Sequence, residues 1–488
     1  MSEIDAIDGG NVSGGHGQRG RARELLPANS INEKMREVRI RDTLRGELRS
    51  LDPRDPPRVG IYACGPTVYS RIHIGNARPY VVFMLLRRFL ATTGYEPRLV
   101  INVTDINDKI YAAAREAGEA SEAFAERMTA AYVHDTDRLG LGRPDDEPLA
   151  SETIAEIVGL IEALIAGGHA YESGGDVYFH VRSFPGYGKL SNRDPEDMDQ
   201  GEEAGTESLK EDPLDFALWK ARKPDEDSAW QSPWGEGRPG WHIECSAMAE
   251  KLLGDDFEIH GGGSDLVFPH HENEIAQTEA GRGVPLARIW MHNGMVQMAE
   301  AKMSKSLGNI FQLSAALDRH GRDTVVAYLI SGHYRQPLEF SEQALEEAAA
   351  RVERIRNFVR ELPEEDGGGE DEFVAARGEA LLEALADDFN TPRALAALFE
   401  LIAEANRRRL AGVRAALDRM LPLLGLESLL APDQGADPEA KGLMEEREAA
   451  RTARDFERAD RIRDELASRG YEVRDTAEGS RLVRRSPA

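Results

Sequence analysis

The chain contains two cysteines, Cys64 and Cys245. In a reducing compartment a structural disulfide is disfavoured, so the pair is either two buried apolar thiols or part of a metal or catalytic site. Their neighbours point to the second reading. Trp241, His242, Ile243, Glu244 and Cys245 run together, and Pro269, His270, His271, Glu272, Asn273 and Glu274 follow. On a helix His270 and Glu274, four residues apart, share one face, so an imidazole and a carboxylate converge on a metal with the two thiolates, a mixed set that tetrahedral zinc accepts. His271 with Glu274, three residues apart, competes geometrically, and spacing does not exclude it. Two further strings suit phosphate chemistry. His73, Ile74, Gly75 and Asn76 open a helix behind a buried strand, where backbone N–H groups and an imidazole face an anion. Lys302, Met303, Ser304, Lys305 and Ser306 put two ammonium groups on a Ser-rich loop.

The elements that must hold these residues read as a nucleotide-binding α/β fold. Val59 to Ala63 is a buried strand ending at the Cys64, Gly65, Pro66, Thr67 turn, and a helix follows from about His73 to Leu90. Arg98 to Val103 closes a strand, helix, strand unit of a parallel sheet, which places Cys64 and Thr104 at carboxyl ends of strands, where ligands bind. From about residue 136 to 239 the alternation breaks, with a helix at Thr153 to Ala166, a strand at Val177 to Val181 and an acidic stretch at Asp194 to Asp212. The sheet then resumes with Phe257 to His260, a Gly261 to Gly263 turn, a helix around His270 to Glu279 and a strand at Arg288 to His292. Thr324 to Ile330 reads as a short helix. Beyond residue 340 the pattern is helical, broken at Pro363 to Gly369. Leu395, Leu398, Phe399, Ile402 and Ala405 make a bundle-core stripe in Thr391 to Leu410. A linker at Pro432 to Pro438 precedes a charged tail with a hairpin at Tyr471 to Val483.

With 488 residues the chain holds two to four domains. No apolar run approaches a membrane span, and Met1 to Gly20 lacks the hydrophobic segment of a signal peptide, so a cytoplasmic location and no membrane partner are expected. The net charge of −27 argues against indiscriminate nucleic-acid binding. Local clusters such as Arg407, Arg408 and Arg409, or Arg481, Arg484 and Arg485, still offer phosphate contacts.

The two phosphate strings together resemble the paired signatures of class I aminoacyl-tRNA synthetases. From about residue 37 to 480 the chain is similar to the bacterial cysteinyl-tRNA synthetases. The likeness is carried by Cys64 to Tyr69, Thr104 to Ile106, Gly240 to Met248, His260 to Glu274 and the lysine string. It implies a Rossmann-like parallel-sheet catalytic domain with an inserted connective domain, followed by an α-helical bundle anticodon-binding domain and a small C-terminal domain. The corresponding boundaries are a flexible extension at 1–35, catalytic halves at 36–135 and 240–335, an insertion at 136–239, a helical domain at 336–431 and a linker with C-terminal domain at 432–488.

The resemblance also implies the chemistry: cysteine is activated by ATP to cysteinyl-adenylate with loss of pyrophosphate, then transferred to the terminal adenosine of tRNA(Cys). One Zn2+ per chain falls on Cys64, Cys245, His270 and Glu274 in the cysteine pocket. A soft sulfur donor binds zinc far better than a hydroxyl, and discrimination against serine of about 10⁴ or more makes an editing domain dispensable. By the same likeness Thr104 and Trp241 line the cysteine pocket. His73, Asn76, His260, Gly262, Asp265 and Lys305 bind ATP, which brings Mg2+, and His73, Lys302 and Lys305 stabilise the transferring phosphate. A monomer is expected. Two positions depart from the family pattern: Asn76 replaces a histidine common in class I enzymes, and Gly479 to Leu482 stand where an aromatic residue often occurs. The alternative is the related cysteine ligase of mycothiol biosynthesis, which shares the zinc site and both signatures but lacks the full anticodon-binding end.

Overall fold

The computed structural model describes residues 35–197, 209–298, 312–363, 369–431, 438–469, 471–476 and 479–484. The lysine string with Lys302 and Lys305 lies outside the described residues. So do nearly all of the N-terminal extension, most of the 432–438 linker, and the middles of the acidic stretch and of the 363–369 break.

Four strands form a parallel sheet in the order β4-β3-β1-β2: β1 (Arg58–Ala63), β2 (Glu96–Ile101), β3 (Phe257–Gly263) and β4 (Ala287–Asn293). Helix α1 (Ile74–Thr92) joins β1 to β2, α2 (Trp241–Leu253) leads into β3, and α3 (Glu272–Arg282) precedes β4. Val59, Ile61 and Tyr62 of β1, Leu99 and Val100 of β2 and Ile259 of β3 are all fully buried, as befits a sheet covered on both faces. Because β1 and β3 are neighbours and their connections run outward to opposite edges, their carboxyl ends flank the switch point where such sheets bind ligands.

The expected Gly261 to Gly263 turn is instead the last part of β3. The glycines serve close approach rather than reversal: a Cβ on Gly261 would sit 2.1 Å from the Met291 carbonyl oxygen and 2.5 Å from the Phe83 ring. The helix expected from His270 begins at Glu272. Before it, Pro269 offers no N–H and Phe268 is extended at φ −139 and ψ 133, so Val267–His271 forms an irregular wide turn. The short helix expected at Thr324 to Ile330 is the second half of Leu313–Leu329, whose two parts meet at Gly321 with φ 74. Strand β2 runs two residues earlier than read, at Glu96–Ile101.

Between the two halves of the sheet lie helices Asp108–Ala117, Ser121–Asp137 and Ile154–Ala166 and a five-stranded antiparallel sheet built from Ala170–Ser173, Asp176–Phe179, Phe216–Ala221, Trp230–Ser232 and Gly235–Pro239. Its core, with Phe179 stacked on Phe216 at 4.9 Å, also takes in Ile243 and Ala247 of α2 and Ala276 of α3. The insertion thereby anchors both helices that carry candidate ligands. Arg238, 2% exposed, ties the same sheet to the helix Asp108–Ala117 by donating to Asp108, and also donates to Glu226 at 3.0 Å.

Past the sheet come helices Glu342–Glu361, Glu372–Ala386, Thr391–Ala405 and Val413–Leu423. Leu395, Leu398 and Ile402 are buried as their spacing predicts, whereas Phe399 and Ala405 are only half-buried. Two helices, Pro438–Thr452 and Phe456–Ser468, lead to the hairpin, which pairs Tyr471–Thr476 antiparallel with Gly479–Arg484.

Candidate active site

At the end of β1 the Cys64 N–H donates to the Gly261 carbonyl at 2.9 Å, fixing the thiol over the switch point. Gly65 must be glycine for space: its N–H donates to Asn102 Oδ1 at 2.9 Å, and a Cβ would lie 1.7 Å from the Asn102 carbonyl oxygen. Cys245 comes from the second turn of α2, His270 from the wide turn and Glu274 from the first turn of α3. Cys64 Sγ lies 3.6 Å from His270 Nε2 and 3.5 Å from Glu274 Oε1, and those two are 3.0 Å apart. One ligand atom from each of the four residues falls within 4.8 Å of every other. A tetrahedron with zinc bonds of about 2.0–2.3 Å has ligand atoms about 3.3–3.8 Å apart. The two Cys64 separations match that spacing, the 3.0 Å between His270 and Glu274 is a hydrogen-bond length, and the donor set of two sulfurs, a nitrogen and an oxygen suits that ion.

The competing histidine is present too. His271 Nε2 lies 3.3 Å from Cys64 Sγ and 3.9 Å from Glu274 Oε1, and Cys64, His260, His271 and Glu274 form a second group within the same limit. That group has one sulfur. Its His260 Nε2 to Glu274 Oε2 separation, 2.7 Å, is a hydrogen-bond length.

Charges inside the cluster are set by burial and by one another. Hydrogen bonding from the Cys64 thiol, aided by His270 and opposed by burial, brings Cys245 down to about 6. Burial and then Cys245 push Cys64 well above the usual thiol range. Burial works against the charge on His270, but Glu274 and Cys245 outweigh it and raise the imidazole to about 10. Burial likewise opposes ionisation of Glu274, yet His260 and His270 hold the carboxyl well below its ordinary range. Behind this layer sit neutral imidazoles: burial, then neighbouring histidines, push His242 and His271 far down and bring His292 to about 3. His242 Nδ1 meets His270 Nδ1 at 2.9 Å, and His271 Nδ1 meets His292 Nε2 at 2.8 Å.

Trp241 stacks on His270 with ring centroids 4.3 Å apart, and Thr104, 1% exposed, exchanges backbone hydrogen bonds with Pro66 and Val68. Trp241 therefore stands beside the cluster, and Thr104 stands beside the turn that follows Cys64. His260 does not present its side chain to a nucleotide. Its imidazole is fully buried between the Tyr62 carbonyl at 3.1 Å and Glu274. Gly262 is buried beside it, while Asp265 is exposed on the turn that follows.

His73 caps α1. Its Nδ1 accepts from the Asn76 N–H at 3.3 Å, while Asn76 Oδ1 accepts from the His73 N–H at 3.3 Å, a reciprocal capping box. With Nδ1 an acceptor, the ring proton belongs on Nε2. The substituted position thus serves the helix start with a neutral amide. Gln312, the first residue described after the lysine string, forms an antiparallel bridge with His73, and the Leu313 N–H donates to the Ile72 carbonyl at 3.0 Å.

The sequence reading gave no role to His242 or His292. Both are separated from the cluster only by another imidazole, a relation that spacing along the chain does not encode. Adjacency to Cys245 was the one signal for His242.

Residues 50–350 match the family model for the class I (C) tRNA synthetase catalytic domain, residues 381–426 the DALR domain, and residues 433–481 the cysteinyl-tRNA ligase anticodon binding domain. The cysteine-tRNA ligase of Halorhodospira halophila is 47% identical over 466 residues, covering 92% of this chain and 99% of that protein. The one from Geobacter sulfurreducens is 46% identical over 475 residues, covering 91% and 98%. Among solved structures, Mycobacterium tuberculosis methionyl-tRNA synthetase with methionyl-adenylate shares the fold at TM-score 0.53 and 16% identity, over 76% of this chain and 88% of that one. The Agrobacterium radiobacter LeuRS of a tRNA ternary complex does so at TM-score 0.55 and 12% identity, over 78% and 85%.

Proposed function

The chain belongs to the cysteine-tRNA ligase family, it is an aminoacyl-tRNA ligase that joins cysteine to tRNA, and from that premise we propose a division of labour among its residues. Cys64, Cys245, His270 and Glu274 hold a zinc ion. The donor atoms support this set over the one with His271, because it unites both sulfurs and leaves His260 as the hydrogen-bond partner of Glu274. Bound there, zinc would supply a soft centre that prefers a thiolate to a hydroxyl. Trp241 and Thr104 shape the pocket that admits the cysteine side chain and exclude water from it.

The cysteine carboxylate is itself the nucleophile toward the α-phosphate, so the protein positions and neutralises rather than abstracting a proton. His73, with its proton on Nε2, donates to phosphate oxygens at the start of α1. Asn76 acts chiefly by fixing that helix start. The backbone of His260 and Gly262, with Asp265, holds the adenosine, and Lys302 and Lys305 clamp the pyrophosphate, with magnesium accompanying ATP. Residues 36–135 and 240–335 form the catalytic unit around the insertion at 136–239. Residues 336–431 and 432–488 engage tRNA(Cys). We assign the working form as a monomer in the cytoplasm; among the described residues no helix is long and apolar enough to cross a membrane.

The observation that carries this reading is the meeting of two thiols from distant segments with an imidazole and a carboxylate at the sheet's switch point. The match of residues 433–481 to an anticodon-binding model favours the tRNA enzyme over the amino-sugar ligase. Cysteine-dependent pyrophosphate exchange, followed by cysteine acceptance on tRNA, tests the whole. Transfer to an amino sugar alone refutes it. Unchanged selectivity for cysteine over serine in Cys245→Ser refutes the metal assignment.

A further inference from the structure

A second buried polar network gathers around Arg78 of α1. Arg78, in the second turn of α1, is fully buried, and its guanidinium donates to three backbone carbonyls: Gly294 at 2.5 Å, Gln336 at 2.7 Å and His333 at 3.0 Å. The segment that supplies two of these carbonyls also grips Asp388 with its side chains. The Tyr334 hydroxyl donates to Asp388 Oδ1 at 2.7 Å, Arg335 Nε donates to Oδ2 at 2.7 Å, and His333 Nε2 lies 3.4 Å from Oδ2. The Arg41 N–H donates to the same carboxylate at 2.9 Å, and the Asp388 N–H donates to the Arg39 carbonyl at 2.8 Å.

Asp388 and Phe389 form the elbow between helices Glu372–Ala386 and Thr391–Ala405, and both hold left-handed backbone, at φ 62 and φ 47. Residues other than glycine stay in that region only where their surroundings over-determine them. Here the surroundings are the carboxylate's three donors and the nearby His333 ring, with Phe389 fully buried against Phe89 of α1 at 6.3 Å. The Thr391 hydroxyl adds a bond to the Ile330 carbonyl at 2.8 Å. The elbow of the helical region and the helix capped by His73 are therefore fastened to opposite sides of one short segment, His333 to Gln336.

We propose that Asp388 and Arg78 are positioning residues for cysteine activation, linked through His333 to Gln336, so that the seating of the helical region sets the placement of the α1 start. The inference rests on the reading of His73 as a phosphate contact. Neither residue touches substrate. A link that served stability alone would leave turnover of the folded enzyme unchanged. A positioning link lowers kcat while leaving KM for cysteine in place, because the thiols that receive cysteine sit at the end of β1 and on α2.

The test is cysteine-dependent ATP–pyrophosphate exchange by the full chain, unmodified and as Asp388→Asn, Arg78→Lys and the double variant. Asparagine tolerates the left-handed backbone and keeps an Oδ1 acceptor for Tyr334 and Arg41, but turns an amide toward Arg335. Lysine keeps the charge and loses the fork that spans three carbonyls. Displacements of this kind cost up to about 100-fold, and about a 10-fold fall in kcat is expected for each single variant, with KM for cysteine within about twofold. The double variant should be no slower than Arg78→Lys, because both act through one link. Unchanged kcat in Asp388→Asn, losses that multiply in the double variant, or an effect confined to KM each overturn the inference. If Asp388→Asn does not fold, Arg335→Gln cuts the same link, with the same outcomes decisive. Absence of exchange in the unmodified chain overturns the activation reading itself, and this inference with it.

Discussion

Replacing His242 by phenylalanine removes one hydrogen bond from behind the candidate zinc ligands and little else. His242 and His270 are 5% and 1% exposed, and their Nδ1 atoms are 2.9 Å apart. Burial, reinforced by His270, keeps His242 neutral, so it accepts at Nδ1 while His270 donates. That bond fixes the His270 proton on Nδ1 and leaves Nε2, the atom near Cys64 and Glu274, to ligate. A phenyl ring retains the edge contact with Phe216, at 5.7 Å and 84°, but accepts nothing. The His270 donor is then buried and unpaired, which costs about 1–3 kcal/mol of stability. Losing an outer partner of a ligating histidine typically weakens metal binding about 10- to 100-fold. We therefore expect the zinc Kd of His242→Phe to rise by about 10- to 100-fold, measured by competition with a chromophoric chelator. His242→Gln, whose amide oxygen can accept, should recover much of the loss. A zinc affinity equal to that of the unmodified protein in a folded His242→Phe variant would refute the assignment of His270 as a ligand oriented by His242.

Near neutral pH Cys245, brought to about 6, is already a thiolate, whereas Cys64, pushed up, and His270, at about 10, still hold protons. Zinc binding should release two protons, one from each, and affinity should rise with pH by up to about 100-fold per unit in this range. Calorimetry in buffers of different ionisation enthalpy measures the count, and zero release contradicts it. Gly65→Ala forces a Cβ to within 1.7 Å of the Asn102 carbonyl oxygen. Overpacking of this kind costs about 1–3 kcal/mol, so thermal unfolding should shift down and KM for cysteine should rise as Thr104 is displaced. An unchanged melting temperature contradicts that packing. Glu272, fully buried, accepts from the backbone N–H groups of Gly188, Leu190 and Ser191 at 3.0, 3.3 and 2.7 Å. Glu272→Gln should lose about 1.5–3 kcal/mol of charge-assisted bonding, seen as faster amide exchange at those three residues, and unaltered exchange would count against it.

The sheet and its helices were legible because their residues obey local rules. Val59 to Ala63 is an unbroken apolar run, His73 precedes an apolar helix, and the stripe from Leu395 to Ile402 keeps helical spacing. Where neighbours distant in sequence dictate the backbone, the local rules gave the wrong element. Three successive glycines read as a turn, yet the requirement at Gly261 is space beside Met291 and Phe83. Helical periodicity placed His270 inside α3, while Pro269 keeps it in a wide turn that brings His270 and His271 both to Cys64. For the same reason spacing alone could not separate those two histidines. Asp388 carried no sequence signal, since its partners come from Arg41, His333, Tyr334 and Arg335, and its left-handed backbone is a tertiary demand.

The order of strands in the central sheet also constrains how the protein is made. β1 pairs on one side with β2, which follows it closely, and on the other with β3, which lies beyond the whole insertion. Cys64 and Glu274 are 210 residues apart. At a synthesis rate of about 5–20 residues per second, that interval is about 10–40 s in a nascent chain. Until Cys245 and then β3 have been made, β1 is an edge strand with open backbone groups and its terminal thiol has no second sulfur beside it; the carboxylate comes later still. A metal held by the four proposed ligands must therefore be loaded after translation of the second half, and the newborn first half is exposed in the meantime to misplaced strand pairing and to thiol oxidation.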